Sequence, residues 1–242
     1  MRHDSRAAPR GGGQLLKIMN DVLDLSKIEE GKLEVEFIEF DVSVVLGAVV
    51  SQIRVPSEQK GLRLDVQYEG FAHTSVVGDP VRVQQILSNF AWNSVKFTEK
   101  GSITLRAVQS PAAGKTVAVS DEGRPTESRR LVFSVTDTGP GISLEAQRKL
   151  FQPYVQADRS TARQYGGTGL GLSICKNLAR LMSGDVGFTS VPGQGATFYL
   201  TLDMQVPSHH RLFFLAPLPL SSPEFSPIPM PRQTPPPKKN GE

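Results

Sequence analysis

Asp137-Thr138-Gly139-Pro140-Gly141-Ile142 follows directly on Leu131–Val135, a segment in which apolar and polar residues alternate with period two. The alternation predicts a strand, and the two glycines after Asp137 predict a tight turn whose backbone can approach a ligand closely. A buried carboxylate at Asp137 can accept a hydrogen bond from an exocyclic amine. Taken alone, an Asp-x-Gly-x-Gly pattern is equally compatible with an ordinary turn, so its meaning depends on what surrounds it.

Three other stretches give it a context. Gly166-Gly167-Thr168-Gly169-Leu170-Gly171-Leu172 runs straight into a predicted helix, Leu170–Met182. Backbone N–H groups of a glycine-rich loop at a helix N-terminus form an anion site, which the helix dipole reinforces. No Gly-Lys-Ser/Thr follows and no strand precedes it, which excludes the P-loop and the dinucleotide fingerprint. On the N-terminal side, Asp79-Pro80 opens a helix to about Phe97, with Asp79 as N-cap and Pro80 at the first helical position. On that helix Asn89 and Asn93 are four apart and share a face, with Lys96 three residues further on. Amide oxygens can ligate Mg²⁺ and an ammonium can pair with phosphate. An isolated pair of asparagines on a helix would merely face water, but the two glycine-rich loops outweigh that reading. Gly193-Gln-Gly-Ala-Thr-Phe198 is a glycine-rich turn entering a strand, as suited to a hairpin as to a site.

The remaining pattern supplies a scaffold. Leu15, Ile18, Val22 and Leu25 follow a 3-4-3 spacing, widened by Leu16, Met19 and Leu23, and Gly31 ends the helix they predict. Phe37–Phe40, Leu62–Tyr68, Ile103–Ala107, Val186–Ser190 and Ala196–Leu202 read as strands, and Val42–Ser57 as a helix. Ser110–Arg130 lacks apolar periodicity and reads as a surface loop. Ten of the 18 prolines fall in Pro207–Glu242, which reads as a disordered tail of polyproline character. Residues 1–13, ending in three glycines, read as a disordered N-terminus.

Composition narrows the function classes. The chain has 242 residues, 38% hydrophobic and 21% charged, enough for one packed domain with appendages. A net charge of +3, one Trp and four Tyr provide neither the basic face nor the stacking platforms of a nucleic-acid binder. The single cysteine, Cys175, excludes an internal disulfide framework and a multi-cysteine zinc site. No apolar run approaches the ~20 residues of a membrane span and no secretory h-region opens the chain, so a cytoplasmic location is expected.

The order of these elements resembles the ATP-binding domain shared by sensor histidine kinases, DNA gyrase, Hsp90-type chaperones and MutL, and within that superfamily the hybrid histidine kinases. Gln85–Thr98 resembles the N box, Asp137–Ile142 the G1 box, Leu150–Asp158 the F box, Tyr165–Leu172 the G2 box and Gly193–Phe198 the last glycine motif. Asn20–Leu33 resembles the second helix of the dimerisation and phosphotransfer hairpin. The resemblance implies a two-layer α/β sandwich: a mixed sheet covered on one face by helices, preceded by one hairpin helix at 14–32, with the catalytic domain at 33–204 and the tail at 205–242. It implies transfer of the ATP γ-phosphate to a histidine in a two-component phosphorelay, with ATP and Mg²⁺ as cofactors. Asn89 and Asn93 would hold Mg²⁺, Lys96 would meet a phosphate and Asp137 would read the adenine amine. ATP contacts would also come from Gly139, Gly141, Ile142, Phe151, Tyr154, Gly167, Thr168, Gly169, Leu170, Gly171, Leu172 and Thr197. Relatives that hydrolyse ATP carry Glu where Asn89 stands, and an amide has no basicity near neutral pH, so direct hydrolysis is disfavoured.

The implied partners are a histidine-bearing hairpin, in cis or trans, and a response-regulator receiver domain. His3-Asp-Ser-Arg-Ala-Ala-Pro9 departs from the family's phospho-acceptor motif by one residue and lies too close to the next helix. His73, His209 and His210 have no suitable context. The first hairpin helix and the receiver are therefore expected to be absent, and a non-catalytic ATP-binding or interaction module is the rival reading.

Overall fold

The computed structural model describes residues 19, 22–28, 30–71, 74–112, 117–119, 125–152 and 169–207. Residues 22–28 are helical (α1). Leu25 and Ile28 pack on the core while Met19, Val22 and Leu23 stay exposed. Asp24 joins α1 to the rest: its carboxylate accepts a hydrogen bond from Gln85 Nε2 at 2.7 Å and lies 3.7 Å from Arg82.

Five helices and eight strands are described: β1 (Ile38–Asp41), α2 (Val42–Gln59), β2 (Arg63–Glu69), β3 (Ser75–Gly78), α3 (Pro80–Phe97), β4 (Ser102–Pro111), β5 (Val117–Val119), β6 (Pro125–Asp137), α4 (Leu144–Gln147), α5 (Gly171–Leu181), β7 (Asp185–Ser190) and β8 (Ala196–Pro207), after α1. The sheet runs β1-β3-β8-β6-β4-β2, with β5 along β6 and β7 along β8. Among the described strands only β2 and β4 pair in parallel; the other pairings are antiparallel, so the sheet is mixed as expected.

Alternation decides which face the helices cover. On β6 Leu131, Phe133, Val135 and Asp137 are buried, as are Ile103, Leu105 and Ala107 on β4 and Phe198, Leu200 and Leu202 on β8. Their neighbours Val132, Ser134, Thr136, Thr104, Tyr199 and Thr201 stay half-buried on the opposite face. Each long helix offers a stripe at helical spacing: Val42, Val45, Leu46, Val49, Val50 and Ile53 on α2, and Val83, Ile86, Leu87, Phe90, Ala91 and Val95 on α3. The architecture is the expected two-layer α/β sandwich.

One expectation fails. Ser110–Arg130 is not all surface loop: β4 continues to Pro111, β5 occupies Val117–Val119 and β6 begins at Pro125. The ladder pairs Ser110 with Arg130 and Pro111 with Arg129. Here the strands pair by backbone hydrogen bonds and by cross-strand charge, such as Arg130 on Asp203 at 2.8 Å, and residues 110–111 and 127–130 supply no buried side chain. Strands without a buried row leave no apolar period to read. The four-residue β3, wedged between β1 and β8, does alternate, with Val76 and Gly78 buried, but Ser-Val-Val-Gly is too short to show a period, and β8 runs on to Pro207, past the expected end of its strand.

Candidate functional site

Asp137 ends β6 on the helix-covered face, 6% exposed. Its carboxylate accepts hydrogen bonds from Gly139 N at 3.0 Å and from Ser94 Oγ of α3 at 3.2 Å. Burial pushes the carboxyl above the usual range, and hydrogen bonds from Gly139, Ser94 and the Ala196 backbone offset only part of that. A carboxylate so placed is an acceptor kept out of water, with its geometry set by three elements.

The loop after Asp137 is locked to the turn before β8. Gly193 N donates to Pro140 O at 2.7 Å and Ile142 N to Ser190 Oγ at 2.9 Å, while that hydroxyl donates to Gly195 O at 2.8 Å. Gln147 Nε2 from α4 closes the clamp on the carbonyls of Ile142 (2.8 Å) and Ser190 (3.2 Å). Glycine is required at two points. Gly141 (φ 67°) and Gly195 (φ 93°) adopt left-handed backbone, and a Cβ would overlap the carbonyl oxygens of Val191 and Asp137 respectively. The two glycine motifs, whose Gly141 and Gly195 stand 54 positions apart in sequence, thus form one backbone unit.

α3 brings the polar side chains alongside. Asp79 caps it by accepting from Arg82 N at 3.0 Å, and Pro80 occupies the first turn, as expected. Asn93 Nδ2 donates to Asn89 Oδ1 at 3.1 Å, the i, i+4 contact their spacing predicts. Both, and Lys96, are half-buried. Lys96 Nζ stands 5.0 Å from the centroid of the Phe97 ring, which is 41% exposed. α5 begins against this pair: a Cβ on Gly171 would overlap the Asn89 amide. The Leu170 side chain at its N-cap offers no cap hydrogen bond and the first turn carries no acidic residue. The dipole of α5 favours an anion at that end.

The donor set fits Mg²⁺ and a polyphosphate in kind. Among the described residues no three His, Cys, Asp or Glu gather to hold a metal, so a cation here would rely on the Asn89 and Asn93 amide oxygens and on ligand oxygens. The Asn93 Nδ2–Asn89 Oδ1 contact uses one of the two lone pairs of the Asn89 oxygen and leaves the Asn93 oxygen untouched.

The other expected residues divide. Gly139 and Ile142 stand in the locked loop beside Asp137. Leu170 is 2% exposed and joins the core, with Leu172 packed against it. Gly169, with φ 71°, lies just ahead of α5. Phe151 stacks into an aromatic column: Phe188 at 5.9 Å, then Phe198 at 6.0 Å, then Phe90 of α3 at 5.4 Å. Thr197 is a correction. Register pairs it with Thr136, and the two hydroxyls lie 2.9 Å apart on the face away from Asp137. Period two sends Ala196 and Phe198 to the helix side and Thr197 to the other. Tyr154, Gly167 and Thr168 lie outside the described residues, as do His3, His73, His209 and His210.

Sequence reading missed Ser94, Thr98, Gln147 and Ser190. Thr98 is fully buried at the end of α3, and its Oγ1 has no hydrogen-bond partner among the described residues. It faces Gly139 beside Asp137 Oδ1. Ser94 had a weak signal, a polar residue on the apolar stripe of α3. Ser190 and Gln147 had none, because their partners come from other segments.

Residues 78–206 match the family described as histidine kinase-, DNA gyrase B- and HSP90-like ATPase. The chain belongs to this family. Histidine kinase 3 of Arabidopsis thaliana is 38% identical over 231 residues, covering 81% of this chain and 22% of that protein. The signal transduction histidine-protein kinase BarA of Escherichia coli K12 is 38% identical over 197 residues, 81% of this chain and 20% of BarA. The chain thus spans about a fifth of the length of these relatives. Among solved structures, full-length ShkA in complex with AMPPNP superposes with a TM-score of 0.64 at 32% identity, over 81% of this chain and 37% of ShkA. The catalytic domain of histidine kinase ThkA, at 21% identity and a TM-score of 0.52, shares the fold over 69% of this chain and 95% of ThkA. The domain is a histidine-kinase-type ATPase domain, and no described helix is long and apolar enough to cross a membrane.

Proposed function

We propose that this histidine-kinase-type ATPase domain binds Mg²⁺-ATP and passes the γ-phosphoryl group to a histidine on a helical hairpin, in a phosphorelay that continues to a receiver domain. The observation that carries the reading is the convergence, at one end of the sheet, of a buried acceptor, an amide pair and a helix N-terminus. In this reading the Asp137 carboxylate accepts the adenine amine, with Gly139, Gly141 and Ile142 shaping the base site. The Asn89 and Asn93 amides hold Mg²⁺, Lys96 neutralises phosphate charge, and the Gly169–Gly171 backbone receives the phosphates at α5. ATP supplies the transferable phosphoryl group; the side chains contribute positioning and charge neutralisation. None of Asn89, Asn93 and Lys96 offers a carboxylate base for water, which favours transfer over hydrolysis. A cytoplasmic location accords with this chemistry.

Incubation with γ-labelled ATP and Mg²⁺, alone and with a separately prepared hairpin bearing a histidine, tests the reading. Acid-labile label on the added hairpin is expected. ATP binding without label on any of several hairpins would identify a non-catalytic nucleotide-binding module, and steady release of phosphate would identify an ATPase.

A further inference from the structure

Lys60 stands outside every motif, at the C-cap of α2, yet its side chain ends on α3. Its Nζ donates to Val95 O at 2.5 Å, Lys96 O at 3.2 Å and Thr98 O at 3.2 Å. All three are carbonyls at the end of α3, where the helix leaves its last C=O groups without helical partners and presents the negative end of its dipole. A half-buried ammonium is matched to that place: three donors for three acceptors, and a positive charge against the dipole.

The carbonyl left out of this set is Phe97 O, which faces Gly139 across the site. The segment Lys60 grips therefore carries Ser94, the hydroxyl on Asp137; Lys96, whose ammonium sits by the Phe97 ring; and Thr98, buried against Gly139. One ammonium holds the backbone from which these three polar side chains project.

We infer that Lys60 is a positioning residue of the nucleotide site: its ammonium clamps the Val95, Lys96 and Thr98 carbonyls and so fixes the end of α3 against the Asp137–Gly139 loop. It touches neither nucleotide nor metal. This rests on the reading of the site as an ATP site, and the two fail separately, because wild-type binding tests the site and the variants test the clamp.

The test compares the full chain with Lys60→Met, which keeps the stem without donors or charge, and with Lys60→Arg, which keeps both. Unfolding curves first locate a temperature at which every protein is fully folded. At that temperature calorimetry with Mg²⁺-ATP is expected to show Lys60→Met weakened about tenfold, because small displacements of a positioned group are costly, and Lys60→Arg closer to wild type. Amide exchange gives a readout that does not need ATP. In Lys60→Met the Thr98 and Gly139 N–H groups are expected to exchange faster, with the Phe90 N–H in mid-helix unmoved. Wild-type affinity together with unchanged Thr98 and Gly139 exchange, at lowered stability, would overturn the inference and leave Lys60 a helix cap only. If Lys60→Met does not fold, Lys60→Gln, which keeps two donors without charge, is read by the same criteria. If wild type does not bind ATP the proposed function fails, and the exchange pattern alone decides the clamp.

Discussion

α2 and α3 are the same length, 18 residues, and lie side by side on the sheet. Each starts with an aspartate cap: Asp41 accepts from Ser43 N at 2.7 Å, and Asp79 from Arg82 N at 3.0 Å. Each buries a row of aliphatic side chains. Their other faces differ. On α2 the polar residues Ser51, Gln52, Arg54 and Glu58 are exposed. On α3 Asn89, Asn93 and Lys96 are half-buried, paired with one another or covered by the start of α5 and by Phe97. A polar face in solvent serves solubility. One drawn into a cleft costs desolvation, and a folded chain keeps that cost where the groups have a ligand to meet.

The carboxylates repeat the contrast. At Asp41 burial works against the charge, but hydrogen bonds from the Ser43 and Thr74 side chains and the Ser43 and Val44 backbone outweigh it, leaving the carboxyl below its ordinary value. At Asp137 burial wins and the carboxyl sits above it. Charge at Asp41 stabilises the fold. Charge at Asp137 costs stability and is held for another purpose.

The two helices should part most widely when the core face of each is emptied. Phe90→Ala on α3 and Leu46→Ala on α2, both essentially unexposed, should each cost about 3–4 kcal/mol in denaturant unfolding. At a temperature where both remain folded, Phe90→Ala should also weaken ATP binding, because Phe90 adjoins Asn89 and stacks on Phe198, whereas Leu46→Ala should not. Equal effects on affinity would erase the functional distinction between the helices.

Asp137→Asn should weaken ATP at least tenfold, on the order of 1.4 kcal/mol, without loss of stability. The signs follow from the raised carboxyl. The penalty on its charge is present at neutral pH and fades as pH falls through the folded-state value toward the ordinary one. Lowering pH should therefore relieve the fold while removing the acceptor, so affinity should start to fall at a higher pH than an unperturbed aspartate would dictate. Calorimetry across a pH series checks this. Undiminished affinity in Asp137→Asn would refute the adenine assignment.

The smallest effect belongs to the α2 cap. Asp41→Ala should cost about 1 kcal/mol of stability at neutral pH and leave ATP affinity unchanged. Because its carboxyl is lowered, that contribution is complete above the ordinary carboxylate value and is lost as pH falls through the folded-state value. A pH series of unfolding midpoints, wild type against variant, should show the two converging in acid.

Features that depend on neighbours along the chain are legible in the amino-acid order. The Asp79-Pro80 start, the i, i+4 asparagines and the buried rows of β4 and β6 need only helical or strand periodicity. The outer halves of β4 and β6 are not legible there, since backbone pairing and the Arg130–Asp203 contact have no period. Thr197 is misread from its motif because a motif gives residue order, while its face depends on the register of β8 against β6.

The fold family and the candidate polar groups could be read along the chain, because the glycine motifs and the Asn89–Asn93–Lys96 face are written in local spacing. Packing between distant segments is what makes Ser94 meet Asp137 across 43 residues, Ser190 and Gln147 bolt two glycine turns together, and Lys60 grip the end of α3. Such contacts join segments that must first overcome loop-closure entropy, and the packed sheet and helices, not any local preference, bring them within reach.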